Sequence, residues 1–326
     1  MLETIALPGS GRMTTRLGFG GSGLMGGISE RESLALLETA FDAGIRHFDV
    51  APAYGHGQAE RCLGKFLRGK RDQVTAATKY GILPPANPGL LDLARSMVRP
   101  AVARLPAVRK RVAQAAAGMR SKARFSAAEA GRSLDRSLRE LGVDSIDVWL
   151  LHEATTEDLD DSDLLPFLRN AQQRGLIRTY GVGAERGRIN DVWEKHRDYC
   201  PVLQFEWSVL EEDESTFPAA FVIHHRAISG ASGSLRRFLQ EDSEIRRQWS
   251  NAVDLDLSDE KHLAGILLQA ALAANSGGIV LFSSRVPEHI RTNVKAAGEA
   301  RAGERGKRFL DLVAENRREI CKHENA

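Results

Sequence analysis

The chain has 326 residues, of which 42% are hydrophobic and 27% are charged, and its formal net charge is +2. This composition fits one large α/β barrel or two smaller globular domains, and it excludes a strongly cationic nucleic-acid-binding protein. No apolar run is long enough to cross a bilayer, and the first residues lack the basic start of a signal peptide. The three cysteines, Cys62, Cys200 and Cys321, are too scattered for a metal site. Free thiols are typical of a protein in the reducing cytoplasm, where we expect this one to be. The small net charge and the lack of a long apolar run predict neither nucleic-acid nor membrane partners.

The chain begins with a predicted hairpin over residues 3–15, whose turn is Pro8-Gly9-Ser10-Gly11, followed by a strand over 15–19. A hairpin in this position could close the base of a barrel. Gly18, Gly20 and Gly23 match a GxGxxG pattern, but no acidic residue follows at the distance that a dinucleotide-binding fold requires. The pattern therefore favours a glycine-rich first loop at the top of a barrel.

Strand and helix patterns then alternate along the chain. This alternation indicates parallel strands with right-handed crossovers, and about eight such pairs predict a single (β/α)8 TIM barrel across residues 1–326. Its core would span about 14–298, with a charged helical tail at about 300–326. The strands are predicted at 46–49, 74–78, 146–151, 177–182, 202–205, 220–224 and 278–282, and the helices at 33–42, 60–67, 127–141, 164–174, 189–196, 261–274 and 287–297.

One interruption, residues 82–125, follows the third predicted barrel strand and is too long for a tight connection. It contains nine Lys and Arg residues from Arg95 to Arg124 and no acidic residue between Asp92 and Glu129. Two interpretations remain open. The segment forms a solvated helical face, or it is a basic lid whose cations meet an anionic substrate or an acidic partner.

Three successive predicted strands end at ionisable residues. Asp49 closes the strand at 46–49, with Tyr54 on the following loop, while Lys79 and His152 close the next two strands. A phenol is a poor proton donor at neutral pH unless a cation lies beside it, and a lysine held by a carboxylate supplies that cation. We therefore expect Tyr54 to protonate a carbonyl oxygen and His152 to orient it. The alternative is structural: Asp49 caps the next helix and Tyr54 is a loop aromatic.

With these residues in place, the sequence resembles the aldo-keto reductase superfamily, whose Asp, Tyr, Lys and His lie at the ends of successive barrel strands in this order. The resemblance covers roughly residues 14–298, through the segments DVAPAYG, ATKYG, DSIDVWLLH and GIVLFSSRVPEHIRTNV. It implies an oxidoreductase that uses NADP or NAD to reduce an aldehyde or ketone to an alcohol, or to catalyse the reverse reaction. The partner it implies is a small carbonyl or alcohol substrate, and no metal is needed.

The resemblance also implies where the cofactor binds. Gln204 stands where the family places a glutamine on the nicotinamide carboxamide. The segment Gly181-Val182-Gly183-Ala184 stands where many relatives have a Ser-Asn pair, so water, backbone or Glu185 would have to replace those contacts. His225 or Arg226 occupies the position of a stacking aromatic residue. Residues at the last strand-to-helix junction would hold the phosphates and adenine, because a helix N-terminus offers free amides. The implied cofactor residues are Gly20, Gln204, Ser283, Ser284, Arg285, His289 and Asn293.

Three points stay open from the sequence. Ser284 could simply cap the last barrel helix. The missing Ser-Asn pair suits a cofactor-binding sensor or partner subunit with little turnover. A sugar-phosphate isomerase or lyase on a similar barrel would instead use Lys79 as a Schiff-base amine. Finally, Ser283 and His289 replace the lysine and arginine that usually clamp the 2′-phosphate of NADP, which predicts that NAD is used at least as readily.

Overall fold

The computed structural model describes residues 1–84, 122–160, 163–211 and 216–323. Eight parallel strands close into a barrel in the order β10-β3-β4-β5-β6-β7-β8-β9, and two further strands, β1 and β2, pair as a separate antiparallel hairpin. The predicted (β/α)8 barrel with an N-terminal hairpin is thereby confirmed. The strands are β1 Thr4–Ala6, β2 Met13–Thr15, β3 Leu17–Gly20, β4 His47–Asp49, β5 Thr75–Tyr80, β6 Ile146–His152, β7 Ile177–Gly183, β8 Val202–Glu206, β9 Phe221–His225 and β10 Ile279–Phe282.

Helices surround the barrel, and local capping chemistry explains their ends. The first helix begins three residues before its predicted start because Ser29 and Glu32 form a capping box. The predicted bounds 127–141 and 287–297 are confirmed. The helices in the described residues are α1 Glu30–Asp42, α2 Ala59–Leu67, α3 Ala127–Leu141, α4 Thr156–Leu159, α5 Leu164–Gln173, α6 Arg186–Lys195, α7 Ser232–Glu241, α8 Ser243–Val253, α9 Glu260–Ala274, α10 Pro287–Ala297 and α11 Ala302–Cys321.

The segment between β9 and α9, for which we predicted no regular structure, contains helices α7 and α8. Their apolar side chains pack with α9 and the C-terminal helix α11 in a cluster that includes Leu235, Phe238 and Trp249. Ion pairs connect α11 to the neighbouring segments, because Arg305 of α11 donates hydrogen bonds to the side chains of Asp254 and Glu299. The charged tail at 300–326 is therefore helical where described, and it packs on the outside of the barrel.

The hairpin covers the N-terminal end of the barrel, as we predicted. Leu7 is buried among side chains that point into the barrel, and Thr14 Oγ1 lies 2.7 Å from Thr75 Oγ1. Arg12 donates to the backbone oxygens of Arg71, Asp72 and Val74, each at 2.9 Å, and pairs with the fully buried carboxylate of Asp147 at 3.3 Å. The opposite, C-terminal end is left open for a site.

The chain leaves and re-enters the barrel at one place after β5. Ile82 and Lys122 form an antiparallel bridge, and the backbone N–H of Ala123 donates to Gly81 O at 2.7 Å. Most of the predicted basic insertion at 82–125, including Arg95 and Arg99, lies outside the described residues. Among the helices that the structure does describe, none is long and apolar enough to cross a membrane.

Candidate active site

The inward side chains of the barrel strands bring the predicted catalytic residues to its C-terminal end. Side chains alternate along a strand, and Ala77, Leu150, Val202 and Ile223 belong to the cluster inside the barrel. The residues two positions later therefore also point inward at the open end, as a ring of polar groups. These residues are Lys79, His152, Gln204 and His225.

Lys79 and Asp49 form a buried ion pair at the centre of this ring. Nζ of Lys79 donates to Oδ1 of Asp49 at 2.7 Å, to Oδ2 at 2.6 Å and to the backbone oxygen of Val50 at 3.3 Å. The two side chains are 3% and 5% exposed. Burial lowers the pKa of Lys79, and the Asp49 carboxylate opposes that shift. Asp49 is thus bound to a lysine of the neighbouring strand and does not cap a helix, which removes the structural alternative for this residue.

Tyr54 and His152 lie beside the pair. Nζ of Lys79 is 5.8 Å from the centroid of the Tyr54 ring, and the rings of Tyr54 and His152 meet edge to face, with centroids 6.3 Å apart. Tyr54 opens a 3₁₀ turn that includes Gly55. A Cβ on Gly55 would lie 2.5 Å from the backbone oxygen of Leu24, so glycine lets the first loop pack against this turn. The four residues predicted from strand ends are therefore brought together.

Gly81 sets the spacing between the strands that carry Lys79 and His152. Its φ is +139°, and a Cβ at this position would lie 2.2 Å from the backbone oxygen of His152. That oxygen belongs to the end of β6 and cannot move without moving the imidazole. The absence of a side chain at Gly81 therefore lets β5 and β6 approach each other where they carry Lys79 and His152.

We expect Gly81→Ala to lower both the free energy of unfolding and the turnover number. Backbone strain at this φ costs about 1–3 kcal/mol, and the clash with the β6 carbonyl adds to it. Urea denaturation and steady-state turnover measure the two effects. Gly187→Ala is the matched control, because no atom lies within 4 Å of its Cβ position. If Gly81→Ala and Gly187→Ala had equal stability and equal turnover, Gly81 would not be needed for the spacing of β5 and β6.

A cavity of about 1100 Å³ is lined by this ring of polar groups and by residues at the junction between β10 and α10. Asn293 is buried and faces this cavity, while His289 is exposed. Six of the seven predicted cofactor residues line it: Gly20, Gln204, Ser283, Ser284, His289 and Asn293. The cavity thus connects Asp49, Lys79, Tyr54 and His152 to the N-terminus of α10.

Two predicted cofactor residues are engaged in other contacts. Arg285 is not among the cavity-lining residues; its Nη2 donates to the backbone oxygen of Gly26 at 2.9 Å. Ser284 does not cap α10, whose N-cap is Val286, and instead accepts from the Val286 N–H at 3.1 Å. The capping interpretation of Ser284 is therefore wrong, and the side chain forms a local turn at the cavity wall. The GxGxxG glycine Gly18 serves packing, since a Cβ there would lie 2.7 Å from Leu281 Cδ2.

Gln204 contacts the ion pair directly. Its Nε2 donates to Oδ2 of Asp49 at 2.9 Å, and Gln204 is only 3% exposed. The other end of the amide, Oε1, lies 3.5 Å from the Cβ position of Gly183, where a side chain is missing. No described residue donates a hydrogen bond to this Oε1, which faces the cavity. An acceptor open to the cavity in this way suits a ligand that carries an N–H donor.

Several charged residues of the cavity were not predicted as site residues. Glu153 follows His152 with a φ of +60° and pairs with Arg188, and burial raises the pKa of its carboxyl. Glu206 lines the cavity beside His225. Burial lowers the pKa of His225 to about 4, so that its imidazole is neutral near pH 7. His225, which we named as a candidate for stacking on the nicotinamide, lines this cavity. Glu206 was not predicted, and its even spacing from the inward residues of β8 is the signal that could have found it.

Comparison with known proteins agrees with this geometry. A sequence model described as the aldo/keto reductase family matches residues 16–226. Pyridoxal 4-dehydrogenase of Microbacterium luteolum is 28% identical over an alignment that covers 90% of this chain and 92% of that protein. D-threo-aldose 1-dehydrogenase of a Pseudomonas species is 31% identical over 189 residues, which cover 55% of this chain and 53% of that protein.

Solved structures share the architecture. An aldo-keto reductase from Bacillus halodurans in its holo form gives a TM-score of 0.68 at 20% identity, over 95% of this chain and 96% of that one. An aldo-keto reductase from Klebsiella pneumoniae, solved in complex with NADPH, gives a TM-score of 0.66 at 20% identity, over 97% of this chain and 95% of that one. At such identities the likeness establishes the barrel fold.

Proposed function

Because this chain belongs to the aldo/keto reductase family, whose members are oxidoreductases that use NADP or NAD, we propose that Tyr54 is the general acid and base in its reaction. The reaction interconverts an aldehyde or ketone and the corresponding alcohol. The observation that carries this proposal is the buried pair of Lys79 and Asp49 beside the phenol ring. A cation held in this position favours the phenolate that forms when Tyr54 gives up its proton.

Each of the four residues has a distinct task. In the reducing direction the Tyr54 hydroxyl donates its proton to the carbonyl oxygen, and the phenolate regains a proton from water. Lys79 stabilises that phenolate, and Asp49 holds the ammonium group through two hydrogen bonds. His152, at the end of β6, donates to the substrate oxygen and fixes its position. In the oxidising direction the same proton movements run backwards.

The cavity fits an extended nicotinamide dinucleotide. Bound NADPH or NADH supplies a hydride to the carbonyl carbon, which balances the proton from Tyr54. Gln204 Oε1 is a suitable acceptor for the carboxamide N–H, and Asn293 suits the adenine edge. Ser283, Ser284 and His289 lie near the N-terminus of α10, where backbone amides attract phosphate. Gly20 lies beside Ser283, because a Cβ built at residue 20 would lie 3.9 Å from the Cβ of Ser283.

We expect NAD to be used at least as readily as NADP. Ser283 carries no charge, His289 lacks the permanent, bidentate cation of an arginine, and Arg285 is bonded to Gly26. The 2′-phosphate of NADPH therefore finds no arginine clamp among these three residues. Fluorescence titration of NADH and NADPH measures this preference.

Two variants sharpen the cofactor experiment. His289→Arg restores a permanent cation and should tighten NADPH binding about 10-fold, the scale of one hydrogen bond to a charged group, without affecting NADH. Arg285→Ala should leave the NADPH affinity unchanged. A strong preference for NADPH that disappears in Arg285→Ala would show that this arginine takes over the 2′-phosphate.

Two other functions would use the same residues differently. The absence of polar side chains at Gly183 and Ala184 favours a cofactor-binding sensor with little turnover. Schiff-base chemistry at Lys79 is disfavoured, because its ammonium group is 3% exposed and already donates to three oxygens. Stopped-flow mixing of the protein–NADPH or protein–NADH complex with a panel of aldehydes tests the proposal. Rapid cofactor oxidation supports an enzyme, and no oxidation by any aldehyde, together with no reduction of cofactor by alcohols, favours a sensor.

A further inference from the structure

Gln204 joins two parts of the site that otherwise do not touch. It lies on β8, whereas Asp49 lies on β4 across the barrel, and the side-chain amide spans the distance between them. Because a carboxylate cannot donate, the atom within 2.9 Å of Asp49 Oδ2 is the amide nitrogen. The orientation of the amide is therefore defined, and its oxygen faces the cavity beside Gly183.

We propose that Gln204 is a positioning residue for the acid–base group as well as a contact for the cofactor, and this proposal rests on the function proposed above. The hydrogen bond from Gln204 draws negative charge on Asp49 away from Lys79. The carboxylate then holds the ammonium proton less tightly, and its field at the Tyr54 hydroxyl is weaker. Through Asp49, Gln204 thus makes Tyr54 a stronger acid, while its oxygen accepts from the cofactor carboxamide.

Several other titratable groups lie near Gln204 and Asp49, and their protonation also affects the pH dependence of kcat. Asp49, Lys79 and His152 lie on the consecutive strands β4, β5 and β6, opposite Gln204, and Tyr54 lies on the loop that follows β4. Glu206 follows on β8 and His225 lies on β9, with a pKa of about 4. His225 therefore stays neutral above about pH 5. The titrations of the remaining groups occur in the unmodified protein too, so the difference between variant and wild type isolates the change at residue 204.

Removing the hydrogen bond between Gln204 and Asp49 should make both Lys79 and Tyr54 weaker acids. In Gln204→Met the Asp49 carboxylate loses its donor, so Lys79 and Tyr54 both hold their protons more tightly. With saturating cofactor, kcat for aldehyde reduction should fall about 10-fold, the scale of a lost hydrogen bond to a charged group. The alkaline limb of the kcat–pH profile should move upward. A role confined to cofactor binding predicts a higher KM for the cofactor and an unchanged profile.

Gln204→Glu gives the decisive measurement. A protonated carboxyl at this position donates to Asp49 as the amide does, and it keeps an acceptor toward the cavity. Once it ionises, the donor is lost and a second negative charge lies beside Asp49, which raises the pKa values of Lys79 and Tyr54. We expect near-normal kcat at about pH 5.5 and a loss of about 10-fold or more by about pH 8. Recovery at low pH also shows that the variant is folded.

Contrasting variants separate the possible failures. Asn293→Leu should raise the KM for the cofactor and leave the pH profile unaltered, because Asn293 lies at the far end of the cavity. If Gln204→Glu behaves like Asn293→Leu at every pH, the positioning role is wrong and Gln204 only binds cofactor. If Tyr54→Phe itself retains turnover, the proposed function fails first, whatever the Gln204 variants show.

Discussion

Tyr54→Phe is expected to lower aldehyde reduction by about 10² to 10⁴, the usual contribution of a general acid. The phenyl ring can keep its edge-to-face contact with His152 and its place near Lys79, so only the acidic hydroxyl is lost. Cofactor affinity should stay nearly unchanged, because the phenol acts on the substrate oxygen. Single-turnover stopped-flow kinetics and fluorescence titration of the cofactor measure the two quantities separately.

Tyr180→Phe is the matched control for this variant. It removes the same hydroxyl from a buried tyrosine whose Oη lies 3.4 Å from the backbone oxygen of Asp198, on the outside of the barrel. Turnover in the control should be normal. Retention of near-normal reduction by Tyr54→Phe would contradict the mechanism, and a large loss of cofactor affinity would move Tyr54 from catalysis to binding.

Lys79→Met is expected to damage both catalysis and stability. It removes the cation beside Tyr54 and leaves the Asp49 carboxylate, which is 5% exposed, without its ion pair. Among the described residues, the hydrogen bond from Gln204 is then its one remaining side-chain contact. Breaking a buried pair from one side typically costs about 3–5 kcal/mol. Turnover should fall by at least about 10², since the phenol loses the group that makes it acidic.

The stability loss in Lys79→Met should depend on pH. Without its cation, the buried Asp49 carboxylate is unfavourable in its charged form, and protonation relieves that cost. A group whose pKa is raised by folding stabilises the fold at low pH, and this contribution is lost as the pH rises through the folded pKa. Urea unfolding should therefore show the variant weakening from about pH 4 toward about pH 8, in contrast to the unmodified protein.

A second substitution tests this explanation. Lys79→Met combined with Asp49→Asn removes the buried charge, so stability should recover and its pH dependence should disappear, while turnover stays low. Lys65→Met serves as the control, because Lys65 pairs with Glu30 at the surface and such pairs contribute about 0–1 kcal/mol. Equal losses of stability in Lys65→Met and Lys79→Met would refute the role of the buried pair.

The ionisable residues at the strand ends could be predicted from the sequence, because the apolar pattern of a strand is short and regular. Asp49, Lys79 and His152 each follow an apolar run, and parallel strands bring such ends to one face. Helix α3 could be bounded for a similar reason: Ser126 caps its start and Gly142 adopts the left-handed conformation at its end. The strand ends and the bounds of α3 depend on residues that are close together in the sequence, so they can be predicted from the sequence alone.

The remaining features depend on contacts between distant residues. Helix α7 begins with Ser232-Gly233-Ser234, weak helix formers, and it is held by packing against α9 and α11. Gln204 and Asp49 are 155 residues apart, so nothing in the local sequence predicts their hydrogen bond. The bond from Arg285 to Gly26 likewise joins opposite ends of the chain, and it explains why an apparent cofactor residue does not line the cavity.

The paired residues Ile82 and Lys122 also affect how this protein can change over evolutionary time. Because the chain departs and returns at a single anchored point, the length of the connection between them has little effect on the barrel, since loop closure entropy grows only slowly with length. Insertions, deletions or whole replacements in that interval leave β5, and with it Lys79, in register. The same junction is a natural boundary for exchanging segments between relatives without altering the strand that carries Lys79.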